Sequence, residues 1–199
     1  MSRDRIRPTR QETREQLFEA AAKVFTEQGI GASVEAISSA AGLTRGAFYS
    51  NFGGKDDLIA AMLADHVAQS AGRYLELLAR HRDPDDFITA MWEAGRAEQD
   101  PLGRSPLLHL ELLLYAARTA RYRKESGEFL RARRQLIADI VEGIGLAKPG
   151  SGLPDPGQLA AMLLAMEDGF RAHQLIDPDS TPSDSFLRSV QALYAAFRP

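Results

Sequence analysis

Apolar residues recur at intervals of three and four along most of this chain, and the places where the interval fails mark its joints. Leu17, Phe18, Ala21, Ala22 and Phe25 predict a helix from Arg10 to Gln28, ended by Gly29. Val34, Ile37 and Ala41 share one face of a short second helix, and Gly42 suits the left-handed turn that ends it, having no side-chain carbon to clash. Leu43 fills the gap before a third helix, Thr44 caps it, and it runs from Arg45 to about Phe52, where Gly53-Gly54 breaks it. So short a helix is unstable alone and must be held by its neighbours, which suits a helix presented to a partner. Leu58, Ile59, Met62, Leu63, Val67, Tyr74 and Leu78 then carry a stripe to about Arg80, a connector of roughly 39 Å at 1.5 Å per residue.

Beyond it, helix starts recur in one idiom. Asp83-Pro84, Ser105-Pro106, Asp155-Pro156 and Thr181-Pro182 each set a capping side chain before a proline at the first helical position. Helices are expected near 84–99, 105–119, 122–146, 156–176 and 182–198, with KPGSGLPDPG at 148–157 as the clearest loop. No segment alternates as a strand, and no repeat is evident. The fold class is therefore all-α: three N-terminal helices over residues 1–55, then a larger helical part over 56–199.

The stretch LTRGAFYSNFGGKDDL resembles the signature of TetR-family transcriptional regulators. The match extends from about Arg10 to Leu58 through Phe25, Gly29, Ser33, Ile37, Ala41-Gly42-Leu43, Gly46, Tyr49, Phe52 and Lys55. Asn51, where the family often has His or Tyr, and Gly53-Gly54, in place of a Pro-containing turn, depart from the pattern. The resemblance implies a helix-turn-helix DNA reader, a homodimer on a near-palindromic operator, and repression released by a small-molecule effector, although activators share the architecture. It also implies that Arg45 and Ala47 face base edges, and that Ser33, Thr44, Tyr49, Asn51 and Lys55 hold phosphates. The residue types agree: arginine pairs with guanine in bidentate fashion, alanine admits a thymine methyl, Gly46 removes bulk, and hydroxyls and Lys55 suit phosphate oxygens.

Composition changes this picture only locally. At 199 residues and 44% apolar content the chain has ample core, and its net charge of -3 gives no global nucleic-acid signal. Yet five arginines (Arg3, Arg5, Arg7, Arg10, Arg14) oppose Asp4 and Glu12 in residues 1–14. This is either a phosphate-seeking arm or a solvated tail. The absence of cysteine removes disulfides, thiolate metal sites and thiol sensing. The charged start and the lack of a long apolar run argue for a cytoplasmic protein with no membrane partner.

In the helices from 84 to 146, Trp92, Arg96, His109, Glu111, Leu113 and Tyr115 are candidates for a small-molecule pocket, against the plainer reading of Trp92 and the leucine stripe as core. The helix at 156–176 is apolar on more than one face and so needs two partners. Leu159, Met162, Leu163, Met166, Gly169 and Phe170, with Leu187, Val190 and Tyr194 from the last helix, are the expected dimer surface, a four-helix bundle by the resemblance; the alternative is a monomer with a fatter core.

Catalytic and metal chemistry find no support. His66, His81, His109 and His173 are scattered without ligand spacing, Gly145 to Gly150 lacks the lysine and strand of a phosphate loop, and no nucleophile elbow or triad spacing occurs. No cofactor is expected. An all-α enzyme or a helical adaptor are the alternatives from other functional classes.

Overall fold

A computed structural model describes residues 9–96, 102, 105–146 and 152–197, without the side chains at 120–122, 125–126 and 197. Every regular element among these residues is helical. The chain divides into two units, Met1–Met62 and Leu63–Pro199. The division falls inside the long helix, seven residues past its start, because Leu58, Ile59 and Met62 are buried and belong to the first unit. The arginines at 3, 5 and 7, the expected end of the helix at 84–99 and the loop residues 147–151 lie outside the described residues.

In the first unit, α1 spans Arg10–Gln28 and opens on a capping box: Glu12 N–H donates to Thr9 Oγ1 at 3.2 Å, and Thr9 N–H donates to Glu12 Oε2 at 2.6 Å. Its buried face is Leu17, Phe18, Ala21, Val24 and Phe25. The following α2 is Val34–Ala40 and α3 is Arg45–Tyr49. Between them Gly42, at φ 67°, donates to Ser39 O while Leu43 donates to Ser38 O. This pair of bonds satisfies the last carbonyls of α2 and turns the chain sharply into α3. The third helix has five residues rather than the expected eight, because Phe48 O accepts from both Asn51 and Phe52 and tightens the end into a turn. Phe18, Phe48 and Phe52 stack at centroid separations of 5.8 Å and are buried. At about 1.5–3 kcal/mol per buried phenyl ring, this cluster fixes the short helix that cannot fold alone.

The long α4 is Lys55–Arg80. The second unit takes its remainder with α5 (Pro84–Arg96), α6 (Pro106–Arg118), α7 (Ala120–Gly143), α8 (Pro156–Ile176) and α9 (Ser185–Phe197). Three of the four expected caps form. Asp83 Oδ1 accepts from Asp85 and Asp86, Ser105 Oγ from Leu108, and Asp155 Oδ1 from Gln158. Thr181 is not a cap. It is buried and donates its N–H to Asp177 O, and α9 begins at Ser185 with Arg188 N–H on Asp184 O. Thr119 alone joins α6 to α7, and α7 ends in a left-handed Gly145 with Leu146 N–H on Val141 O. The core of this unit gathers Ile88, Val141, Leu146, Leu159, Leu163 and Val190 from four helices and a turn.

Candidate functional site

The exposed end of α3 is assembled from caps. Ser33 Oγ accepts from Ala36 N at 3.2 Å and Thr44 Oγ1 from Ala47 N at 3.1 Å, so both hydroxyls fix helix starts while staying at the surface. Arg45 projects into solvent and meets Glu35 of α2 at 2.7 Å, its guanidinium carbon 5.9 Å from the Tyr49 ring centre. Tyr49 is 48% exposed, whereas its neighbour Phe48 is fully buried. Gly46 is exposed too. A β-carbon there would meet only Thr44 Oγ1 at 3.7 Å, so packing within the unit does not demand glycine. Ala47 is half-buried. Together these place a short helix with one arginine, two small residues and a phenol on an open face.

Two of the sequence-based candidates meet partners within the unit. Lys55 Nζ donates to Ile30 O at 2.8 Å and Ala32 O at 3.2 Å, tying the loop before α2 to the start of α4. Asn51 turns back on its own helix, with Nδ2 donating to Ala47 O at 2.8 Å and a buried Oδ1.

The second unit contains a cavity of about 460 Å³ that is partly open to solvent. Trp92 and Arg96 of α5, His109 of α6, and Phe170 of α8 are among its walls, with Tyr74 from α4 and Phe186 from α9. One wall is charged. Arg133 Nη2 donates to Glu167 Oε2 at 2.6 Å, and Arg171 donates to Glu167 Oε1 from Nη2 at 2.7 Å and from Nε at 3.2 Å. His109 Nε2 lies 3.0 Å from Asp168 Oδ1. Burial pushes the Glu167 carboxyl up, but Arg133 and Arg171 together outweigh it and hold it at about 2. Burial drives His109 below its ordinary value, with the bond to Asp168 restoring only part. A neutral ring facing a carboxylate carries its proton on the facing nitrogen, so Nε2–H donates to Asp168. Arg133 Nη1, 3.5 Å from both, then pairs with Asp168 rather than with the ring.

The comparisons bear on both halves. Residues 17–62 match the family model for bacterial regulatory proteins of the tetR family. The HTH-type transcriptional regulator TtgR of Pseudomonas putida is 30% identical over 197 residues, covering 88% of this chain and 86% of that protein. The chain belongs to the TetR family. It is accordingly a transcriptional regulator with a DNA-binding domain rather than an enzyme. Among solved structures, reduced NemR of E. coli is similar at a TM-score of 0.70 and 22% identity, over 93% of this chain and 96% of that one. The SmeT–triclosan complex is similar at 0.65 and 22%, over 93% and 89%. These likenesses agree in fold: an N-terminal helix-turn-helix domain and a helical C-terminal domain. No helix among the described residues is long and apolar enough to cross a membrane, and no group of three His, Asp or Glu there is placed to hold a metal.

Within this TetR-family regulator the cavity takes three of the six pocket candidates, Trp92, Arg96 and His109. Glu111, Leu113 and Tyr115 are not in its wall. Glu111 is about 200° around α6 from His109, and Leu113 and Tyr115 lie about 6 and 9 Å further along the helix. The surface candidates also divide. Leu159, Leu163 and Val190 are buried in the subunit's own core, with Met166, Leu187 and Tyr194 packed against it. Within one subunit the first three are core, while Met166, Leu187 and Tyr194 stay half-buried at its edge. Phe170 lines the cavity, as do Leu163, Leu187 and Val190. Met162 remains 42% exposed, and a β-carbon added at Gly169 would meet nothing within 4 Å. Sequence reasoning missed Glu35, Arg133, Glu167, Asp168 and Arg171. One signal existed: Arg133 sits on the stripe of Phe129, Leu136, Ile137 and Ile140, a charge where an apolar residue belongs.

Proposed function

We propose that the chain is a homodimeric, cytoplasmic repressor that binds a near-palindromic operator and leaves it when a small molecule fills the cavity of the C-terminal unit. The observation that carries the DNA part is the exposed start of α3, where capped Thr44, Arg45, Gly46 and Tyr49 face solvent while Phe48 anchors the helix beneath. In this reading Arg45 and Ala47 address base edges, and Ser33, Thr44 and Tyr49 contact phosphates. Residues 1–55 and the first turns of α4 form the reader.

The effector part is supported by the cavity of about 460 Å³ and by a fold neighbour solved with triclosan. The dimer part is supported by the face of α8 that the core leaves uncovered, Met162, Ala165 and Gly169. A two-fold dimer carries two reading helices, which suits half-sites about 34 Å apart, one turn of DNA. An effector that favours wrongly spaced heads lowers operator affinity by its differential affinity for that state.

The test is selection of bound duplexes from a random-sequence pool at two salt concentrations. A near-palindrome with half-sites one turn apart is expected, and its position relative to the transcription start distinguishes repression from activation. Recovery of a single asymmetric site, or of no enriched sequence with and without cell extract, overturns the reading.

A further inference from the structure

The wall of the cavity is unevenly charged. Among the described lining residues three guanidinium groups, Arg96, Arg133 and Arg171, face one carboxylate, Glu167. That carboxylate is already spent: Arg133 holds one of its oxygens and Arg171 holds the other through two N–H groups. Asp168 answers Arg133 and His109 and is not part of the lining. Arg133, Arg171, Glu167 and Asp168 therefore balance one another, and Arg96, an exposed residue of the lining, leaves the described residues of the site one positive charge in excess. The remaining wall is apolar and aromatic, with Trp92, Phe170, Phe186, Ile137 and Leu164.

A lipophilic cation entering this space finds no carboxylate among these residues except Glu167, and taking it strips Arg171 of its carboxylate and leaves Arg133 with Asp168 alone at 3.5 Å. An anion meets the opposite situation. Arg96 and the outer N–H groups of Arg171 can accept it without dismantling the network, because a guanidinium carries five donors and Arg171 spends two on Glu167. We infer that the cavity takes small organic anions: an apolar or aromatic body of drug-fragment size carrying one carboxylate or acidic phenol, with cationic lipophiles rejected. This rests on the reading of the cavity as an effector site, and it adds the chemical class.

The chain supplies its own reporter, since Trp92 is its single tryptophan and lines the cavity. Three probes of nearly equal shape, 4-butylbenzoate, 4-butylbenzamide and 4-butylbenzylammonium, are titrated against the full-length protein by Trp92 fluorescence and by calorimetry at pH 7.5. The benzoate is expected to bind at least tenfold more tightly than the ammonium, with the amide between them. Arg96→Gln, a change at an exposed side chain, is expected to weaken the benzoate several-fold and leave the amide unchanged. Equal affinities, or an ammonium that binds best, overturn the anion assignment while leaving a ligand-binding cavity. Silence from all three probes in both measurements overturns the effector-site reading underneath it. An Arg96→Gln protein that keeps the full benzoate preference removes Arg96 from the account and overturns the charge argument as stated.

Discussion

Arg133 of α7 reaches Glu167 of α8 at 2.6 Å, and the same carboxylate is clasped on its other oxygen by Arg171, one turn along its own helix. The three groups are largely withdrawn from water, so each depends on the others. Glu167→Gln leaves Arg171 without its carboxylate and Arg133 with Asp168 alone, and is expected to cost about 2–4 kcal/mol, below the full figure for a buried pair because the carboxylate is 24% exposed. Urea unfolding followed by Trp92 fluorescence checks this.

The same carboxylate gives a pH signature. Its folded-state value of about 2 is below the ordinary 4.5, so its contribution is present above pH 4.5 and is lost as pH falls towards 2. The contribution is on the order of 3 kcal/mol from the size of that displacement. Wild-type stability should drop through this acid window, and Glu167→Gln should flatten the drop.

His109 predicts a second, milder window. Its folded-state value is lowered, so the unfolded chain takes up the proton first and stability declines as pH falls below about 6.5. His109→Gln keeps a donor toward Asp168 and should remove this slope below about pH 6.5. A slope unchanged in the variant assigns it to another group.

Arg45→Ala should leave helicity and assembly intact and cost about 1–3 kcal/mol at a single base-pair position, measured by binding to operators varied one position at a time. The Glu35 pair does not compensate, since an exposed ion pair contributes only about 0–1 kcal/mol. Lys55→Met should behave differently. Losing two charge-assisted bonds to Ile30 and Ala32, it should destabilise the N-terminal unit by about 1–3 kcal/mol and leave the salt dependence of the remaining DNA binding unchanged. A reduced salt slope would return Lys55 to the phosphate contacts.

Gly169→Leu tests the dimer cleanly because the first carbon of the added side chain meets nothing within its own subunit. The variant subunit should keep its helicity, and light scattering should report a weakened or lost pair. An unaltered dimer places the interface on another face.

Much of this protein was determined by its sequence alone. Helix positions follow from apolar spacing, and their ends follow from local chemistry that needs no distant partner: the Thr9–Glu12 box, the prolines after Asp83, Ser105 and Asp155, and the left-handed Gly42. The reading helix was legible for the same reason, since a cap, an arginine and two small residues within four positions are a local pattern. Thr181-Pro182 copied the idiom yet failed as a cap because its backbone bonds to Asp177 instead. What only the tertiary structure decided is which of two chemically similar faces turns inward. Periodicity places Leu159, Leu163 and Met162 on one apolar helix without saying that the first two meet Ile88 and Val141 while the third meets solvent. Nor does it say that Lys55 reaches 25 residues back to Ile30, or that Arg133 meets Glu167 34 residues away. Such pairings depend on how whole helices pack, a global compromise among many weak contacts, and no short stretch of sequence encodes it.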